Sequence, residues 1–177
     1  MAVFEDDEDG EQALSEWEER ETQVTHGLMT APIRALNPRA AVTVPASGTV
    51  ADAVNRMNQE GIGAVLVSEG GRLVGIFTER DVLRKIAGRG LDFTKLTVAD
   101  YMTRDPEALS IDHKVAYALN KMVIGGYRHV PLVDAEHRPL AMLSVRDIVE
   151  FIVERFPQDV INLPPDPEHE VRKADGG

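Results

Sequence analysis

The chain carries the segment GIFTERD at residues 75–81 and a related segment, AMLSVRD, at residues 141–147. Each has an apolar run, then a hydroxyl residue, then an aspartate three positions later. This order is typical of a strand that leads directly into a helix, because the hydroxyl and the acid can cap the start of the helix. A junction that occurs twice indicates that the chain repeats one structural unit.

The sequence around the two segments repeats in the same order. Residues 49–57, TVADAVNRM, match residues 114–122, KVAYALNKM, at an offset of 65, and residues 62–67 match residues 127–132. The offset becomes 66 at the two quoted segments, after one inserted residue. Helical spacing of apolar residues alternates with short apolar runs, so each unit is predicted to run strand, helix, strand, strand, helix. The predicted fold class is therefore α/β (α+β).

The predicted elements occupy equivalent places in the two units. In the first unit we expect strands at 41–44, 64–67 and 73–77, and helices at 49–60 and 78–87. In the second unit we expect strands at 108–111, 130–133 and 140–143, and helices that end near Ile124 and Arg155. Residues 97–100 look like the start of a further helix that links the two units.

Charge and repetition divide the chain into four regions. These are an acidic tail at 1–24, a first repeat at 25–90, a second repeat at 91–156 and a proline-rich acidic tail at 157–177. Of the net charge of −11, the first 21 residues contribute −9, whereas residues 22–156 sum to +1. Such an acidic tail is typical of a solvated, disordered segment, although it can also screen a basic surface or bind a partner. It would repel phosphates, so nucleic acid is not expected as the main ligand.

Composition excludes several classes of protein. The chain has no cysteine, which rules out disulfides and thiolate metal sites, and its histidines have no partner at ligand spacing, so no metal is expected. No apolar run approaches the roughly 20 residues that span a bilayer, and the acidic start lacks the basic region of a signal peptide. We therefore expect a cytoplasmic protein without a membrane segment.

The two segments and their repeat pattern resemble the CBS (Bateman) family over residues 28–155. Residues 127–131, YRHVP, are also similar to the start of the second strand in nucleotide-binding members. The resemblance implies two tandem β-α-β-β-α repeats that pack with pseudo-two-fold symmetry into one Bateman module. It also implies that AMP, ADP, ATP, S-adenosylmethionine or an adenine dinucleotide binds between the repeats, that no cofactor is required, and that the module pairs as a homodimer.

The resemblance assigns residues to two clefts. In adenylate-binding members the aspartate of one repeat holds the ribose, and the other repeat supplies a basic side chain to the phosphate. The first cleft would combine Thr78, Asp81, Arg128, His129 and the backbone near Glu107 and Ala108. The second cleft would combine Ser144, Asp147, Ile62, Gly63, Ala64 and the backbone near Val42 and Thr43.

The two clefts are not expected to be equivalent. The first has Arg128 and His129 on the opposite repeat, whereas the second has no basic residue there. A phosphate that is buried without a cation or enough donors is costly. Ala141 also stands where the family prefers glycine, and its methyl group would narrow the second cleft. We therefore predict that the first cleft is the better nucleotide site, and that the second is weak, empty or selective for a less anionic ligand.

Simpler interpretations exist for the individual residues. Thr78 and Asp81 could serve only as a helix cap, a role that is compatible with ligand binding. His129 could be a hydrogen-bonded structural histidine. Arg80 and its counterpart Arg146 fit solvated charges in a first helical turn better than phosphate ligands.

No set of residues suggests catalysis, and the two repeats leave no room for a catalytic domain, so an enzyme is not expected. The leading hypothesis is a ligand sensor whose state is read by an unknown effector protein. The alternative is a constitutive dimerisation or scaffold module whose clefts no longer bind ligand. In either case the helices at 82–87 and 145–151 would supply apolar faces for pairing.

Overall fold

This computed structural model of the protein describes residues 26–27 and 29–155. The predicted acidic tail at 1–24 and the proline-rich tail at 157–177 lie outside the described residues. Strands and helices alternate along the described chain in two similar halves. This arrangement confirms the α/β class and the two-repeat organisation predicted from the sequence.

The first repeat contains β1 (Thr43–Pro45), α1 (Val50–Glu60), β2 (Ala64–Glu69), β3 (Arg72–Thr78) and a helical segment, α2. Segment α2 starts as an α-helical turn at Glu79–Asp81 and continues as a π-helical turn at Val82–Ile86. Helix α1 begins at the predicted place, because the Thr49 hydroxyl oxygen accepts a hydrogen bond from the Asp52 amide at 3.0 Å. It ends at Gly61, whose φ of 63° favours glycine.

Two short elements, α3 (Val98–Tyr101) and β4 (Thr103–Arg104), link the repeats, and a 3₁₀ turn at Ile33–Leu36 takes the equivalent place before the first repeat. The second repeat contains α4 (Val115–Gly125), β5 (His129–Val133), β6 (Pro139–Ser144) and α5 (Val145–Arg155). The strand predicted at 108–111 is reduced to a single parallel bridge between Leu109 and Leu132.

The strands of the first repeat form most of a four-stranded sheet with the order β1-β2-β3-β4. Strand β1 runs parallel to β2, and the β2–β3 and β3–β4 pairs are antiparallel. Strands β5 and β6 form an antiparallel pair in the second repeat. Both hairpins have a register irregularity at the same place, after Val67 in β2 and after Leu132 in β5. The two repeats therefore match in detail as well as in element order.

Each repeat is completed by the chain segment that precedes the other repeat. Arg104 of β4 pairs with Gly75 of β3, and Ala40, ahead of the first repeat, pairs with Ala141 of β6. This reciprocal exchange gives the module its pseudo-two-fold symmetry. It also means that neither repeat can be separated from the other without exposing a strand edge.

Three apolar clusters stabilise the module. The core of the first repeat contains Phe77 and also Val98 from α3, and the core of the second contains Leu143 and also Ile33 from the 3₁₀ turn. The third cluster joins the repeats, because partly buried residues of the second repeat, Ala108, Val133 and Met142, pack against the buried side chains Ala64, Leu66, Leu73 and Ile76 of the first. Full burial of a large aliphatic or aromatic side chain contributes about 1.5–3 kcal/mol. The third cluster therefore contributes to holding the two repeats together.

Candidate functional site

A cavity of about 510 Å³ lies where the end of β3 and segment α2 of the first repeat face the second repeat. Five of the six residues predicted for the first cleft line it, namely Thr78, Asp81, Glu107, Arg128 and His129. The sixth, Ala108, packs against the apolar cluster between the repeats. The other charged residues in the wall are Glu79, Arg80, Arg84, Lys85, Arg104 and Asp105.

Asp81 is the only charged residue that is buried within the described part of the chain, with 8% of its surface exposed. Its Oδ2 atom accepts hydrogen bonds from the Thr78 amide at 2.9 Å and from the Thr78 hydroxyl at 2.7 Å. The Asp81 amide donates in return to Thr78 Oγ1 at 3.2 Å. These contacts form a complete capping box, which fixes the carboxylate in the cavity wall.

Lys85 is a partner of Asp81 that the sequence interpretation missed. Its Nζ atom lies 2.7 Å from Asp81 Oδ1 and donates a hydrogen bond to the Tyr101 carbonyl at 2.6 Å. The ammonium group thus compensates the buried carboxylate and connects α2 to the end of α3. A spacing of four residues between an acid and a lysine on a predicted helix is the signal that points to this pair.

Arg128 and His129 face the cavity from the second repeat. The Arg128 guanidinium is exposed and makes no hydrogen bond or salt bridge with any residue that the structure describes. Burial lowers the pKa of His129, and the charge of Arg128 lowers it further, while Asp147 and Glu79 act in the opposite direction with smaller effects. The second repeat therefore presents an open guanidinium beside an imidazole that favours its neutral form.

Glu107 is fixed by two neighbours on the second repeat. The Tyr127 hydroxyl donates a hydrogen bond to Glu107 Oε2 at 2.8 Å, and Lys121 Nζ lies 2.5 Å from Glu107 Oε1. Hydrogen bonds from Lys121 and Tyr127 lower the pKa of Glu107. Burial and the contact with Glu107 raise the pKa of Tyr127 to about 12. The ionised carboxylate and the neutral phenol thus hold in place the segment that precedes Ala108.

Arg80 connects the two repeats across the cavity. Its Nη1 atom donates a hydrogen bond to the Gly126 carbonyl at 2.9 Å, at the end of α4. The interpretation of Arg80 as a solvated charge is therefore incomplete, because the exposed guanidinium also joins α2 to the opposite repeat. Nothing in the local sequence signals this contact, since the two residues are 46 positions apart.

The second strand–helix junction has the same capping geometry as the first. Asp147 Oδ2 accepts hydrogen bonds from the Ser144 amide at 2.6 Å and from the Ser144 hydroxyl at 2.8 Å. The place of Lys85 is taken by Phe151, which is buried. Asp147 forms no salt bridge with any of the residues described. The cap is common to both repeats, and the lysine is specific to the first.

The remaining residues predicted for the second cleft lie on the first repeat. Val42 and Ile62 pack against the core of that repeat, Thr43 pairs with Leu66 in the sheet, and Ala64 lies in the cluster between the repeats. Gly63 lines the first cavity, where its carbonyl accepts a hydrogen bond from the Glu79 amide at 3.0 Å. The structure thus associates Gly63 with the wall of the first cavity.

Basic residues near the second junction are already paired with acids. Arg146 Nε lies 2.7 Å from Glu150 Oε1, and Arg39 Nη2 lies 3.0 Å from Glu60 Oε2. In the first repeat Arg80 and Arg84 occupy the positions equivalent to Arg146 and Glu150. Two arginines cannot form an ion pair, so the salt bridge of the second repeat has no counterpart in the first. The two junctions therefore share their caps and differ in their charges.

Gly75 and Ala141 occupy equivalent strand positions with different neighbours. A methyl group at position 75 would overlap Met102 Sδ and lie 3.1 Å from the Thr103 carbonyl. Ala141 instead belongs to the buried core of the second repeat. From the sequence, the Ala141 methyl group is expected to narrow the second cleft. In the structure this methyl group packs in the core of the second repeat instead.

Within the described residues, no group of three or more histidine, cysteine, aspartate or glutamate side chains is arranged to hold a metal ion. That part of the chain also contains no helix with the length and apolar character needed to cross a membrane.

Comparison with known proteins identifies the two repeats. A family model for the CBS domain matches residues 27–88 and residues 98–154. The chain belongs to the CBS-domain family. Each matched CBS domain contains one structural repeat together with the short segment that precedes it, which confirms the resemblance seen in the sequence.

Relatives of this CBS pair agree with that assignment. An uncharacterized 17.7 kDa protein of Acidianus ambivalens is 31% identical over 107 residues, which is 60% of this chain and 63% of the relative. The chain therefore spans less than two thirds of that relative's length. A CBS-domain-containing protein from Agrobacterium tumefaciens has a TM-score of 0.62 at 28% identity over 68% of this chain and 98% of its own. A CBS domain protein from Pyrobaculum aerophilum complexed with AMP has a TM-score of 0.62 at 23% identity over 70% of this chain and 99% of its own, and thus shares the fold.

Proposed function

We propose that this CBS pair is a non-catalytic regulatory module that binds an adenine nucleotide, or a related adenosyl ligand, in the cavity between its repeats. The observation that carries the proposal is a single cavity in which the fixed carboxylate of Asp81 and the open guanidinium of Arg128 come from opposite repeats. A carboxylate is an acceptor for a ribose diol, and a guanidinium is a donor for a phosphate. The AMP complex of the Pyrobaculum aerophilum neighbour indicates that the fold can hold such a ligand.

Each part of the cavity has a role in this proposal. Asp81 and Thr78 bind the ribose end of the ligand, Arg128 and His129 bind the α-phosphate, and the backbone near Glu107 and Ala108 lies beside the adenine. The second junction, with Ser144 and Asp147, is the weaker site, because its basic neighbours are already paired with acids.

Asp81 has little spare capacity for hydrogen bonds. Three donors already bind it, namely the amide and the hydroxyl of Thr78 and the ammonium group of Lys85. A carboxylate offers about four acceptor sites, so about one site is open to a ribose hydroxyl. A diol that donates two hydrogen bonds must therefore displace one existing donor. If Lys85 is displaced, its contact with the Tyr101 carbonyl changes too, and ligand binding is coupled to the end of α3.

A coupling of this kind is what a sensor requires. A ligand shifts the equilibrium between two arrangements only if it binds one of them more tightly. A ligand that contacts both repeats favours the arrangement in which the repeats close on it. An effector protein that recognises this arrangement would then read the presence of the ligand.

We also propose that the module pairs as a homodimer through exposed apolar residues on its helices, including Leu83 of α2, which is 71% exposed. Val123 and Ile124 on α4 are 79% and 76% exposed, and Val149 and Val153 on α5 are exposed as well. The equivalent positions 58 and 59 on α1 carry amide side chains. Neighbouring exposed apolar residues are typical of a protein interface. A constitutive dimer without a ligand is the alternative function that this surface favours.

Isothermal titration of AMP, ADP, ATP and S-adenosylmethionine against the full chain tests the proposal. We expect at least one of the four to bind, and we expect Asp81→Ala to abolish that binding. Asp147→Ala is the matched control, because it removes the equivalent cap from the other repeat and Asp147 does not line the first cavity. Loss of a cap costs about 0.5–2 kcal/mol, so circular dichroism must show that both variants remain folded. If none of the four ligands binds at millimolar concentration, the proposed ligand-binding function is excluded and the alternative of a constitutive scaffold is supported.

A further inference from the structure

The first cavity contains more cationic side chains than the proposed roles use. Arg80, Arg84 and Arg104 line it together with Arg128. Arg80 and Arg104 each donate one hydrogen bond to a backbone carbonyl, which leaves most of their N–H groups open. The guanidinium of Arg84, like that of Arg128, makes no hydrogen bond or salt bridge with any residue the structure describes. The cavity wall therefore has more open guanidinium N–H groups than a single phosphate would use.

The acidic residues of the wall do not cancel this charge. Asp81 and Glu107 are each paired with a lysine. Only Glu79 and Asp105 are left in the wall to oppose the four arginines, so an excess of two positive charges faces the cavity. Cations grouped around one cavity repel one another, and a bound polyanion relieves this repulsion.

The second repeat has the same backbone arrangement at its strand–helix junction, but an acid replaces one of the arginines. There Glu150 takes the place of Arg84 and pairs with Arg146. The fold therefore tolerates an acid at this position, and helix α5 forms normally with it. An arginine at position 84 is not required for packing, because its side chain is exposed.

We propose that the cavity selects an adenosine ligand with two or three phosphates, and that Arg84 binds the second phosphate. This inference rests on the proposed function, because it places the first phosphate at Arg128. The two open guanidiniums come from opposite repeats and so provide two separate anion positions in one cavity. A diphosphate would connect the repeats through a charge-assisted contact at each position. The same excess of positive charge disfavours the sulfonium cation of S-adenosylmethionine.

Titration of AMP, ADP, ATP and S-adenosylmethionine at one fixed ionic strength tests this selectivity on the full chain. We expect ADP to bind about tenfold more tightly than AMP, and S-adenosylmethionine to bind less tightly than either. Arg84→Gln should remove the advantage of ADP while it changes the affinity for AMP by less than about twofold. Arg72→Gln is the matched control, because Arg72 is an exposed arginine of the same repeat outside the cavity. It should leave all affinities unchanged.

The outcomes separate this inference from the proposed function. Equal affinity for AMP and ADP, or an equal loss of both in Arg84→Gln, would show that the second phosphate has no site at Arg84 while the adenylate site stands. Tighter binding of S-adenosylmethionine than of ADP would also overturn the inference. Failure of all four ligands to bind would remove the proposed function and the inference together.

Discussion

The two strand–helix junctions of this CBS pair have the same cap and different surroundings. The distance from the capping hydroxyl to the aspartate Oδ2 is 2.7 Å in the first repeat and 2.8 Å in the second. Around the first aspartate, Lys85 completes an ion pair and Arg84 is open to the cavity. Around the second, Phe151 and Glu150 take those two places. The two repeats therefore share the geometry of the cap but differ in the charged side chains around it.

This difference separates what the fold requires from what a ligand requires. The cap satisfies amide groups at a helix start, so it is needed in both repeats whether or not a ligand binds. Arg84 has no such role, because its side chain is exposed and Glu150 takes its place in the second repeat. Arg104 donates to a backbone carbonyl, whereas its counterpart Arg39 forms a salt bridge with Glu60. A symmetric fold can therefore hold two clefts of unequal affinity for an anion.

Gly75→Ala should have the largest effect on stability. The added methyl group would overlap Sδ of the buried Met102 and lie 3.1 Å from the Thr103 carbonyl, so the Met102 side chain must repack and β4 must shift slightly. We expect a loss of about 2–3 kcal/mol in the free energy of unfolding, measured by urea denaturation. The reverse change in the other repeat, Ala141→Gly, should cost about 1 kcal/mol. No measurable loss in Gly75→Ala would show that β4 does not approach β3 closely at this position.

Lys85→Met should destabilise the first repeat by a smaller amount. It leaves the buried carboxylate of Asp81 without its cation and breaks the contact with the Tyr101 carbonyl. Because Lys85 is partly exposed, water can replace some of this interaction, and we expect a loss of about 1–2 kcal/mol by urea denaturation. Lys95→Met breaks an exposed ion pair with Asp92 and should have little effect. If the two variants are equally stable, Lys85 does not support Asp81.

Arg128→Gln should weaken binding of the preferred adenylate by about tenfold, because it removes the cation that faces the first phosphate. Arg138→Gln is a suitable control, since Arg138 pairs with Asp134 in the hairpin of the same repeat and does not line the cavity. Isothermal titration measures both. Unchanged affinity in Arg128→Gln would place the phosphate elsewhere.

The smallest predicted effect is a pH dependence from His129. Burial and Arg128 lower the pKa of His129 below its ordinary value of 6.5. As the pH falls below about 6.5, the unfolded chain takes up this proton before the folded chain, so the free energy of unfolding decreases. Urea denaturation at several pH values should show a weaker decrease for His129→Gln. Identical pH profiles would mean that His129 is not perturbed in the folded protein.

Much of the fold could be predicted from the sequence because it depends on local patterns. The repeat at an offset of 65 to 66 gave the element order, and the spacing of Thr78 and Asp81 indicated the cap that the structure contains. The partner of Asp81 was not predicted although it lies only four residues away, because that spacing does not by itself distinguish a partner from a solvated lysine. The local pattern also gave no sign of the π-helical turn at Val82–Ile86.

Contacts between distant parts of the chain could not be predicted in this way. The exchange that pairs Ala40 with Ala141, and the hydrogen bond from Arg80 to Gly126, depend on how the repeats pack. The salt bridge of Arg39 with Glu60 joins residues 21 positions apart and decides whether that arginine is open to an anion. The sequence therefore shows which positions carry charged residues. Only the packed structure shows which of these residues are already paired with an opposite charge.

The stoichiometry of nucleotide binding tests the inequality of the two clefts most directly. Isothermal titration of the full chain with its preferred adenylate should give one bound nucleotide per chain. Asp147→Ala should keep that stoichiometry and affinity, and Asp81→Ala should lose the binding. Two nucleotides per chain with similar affinities, or loss of binding in Asp147→Ala with retention in Asp81→Ala, would contradict the account.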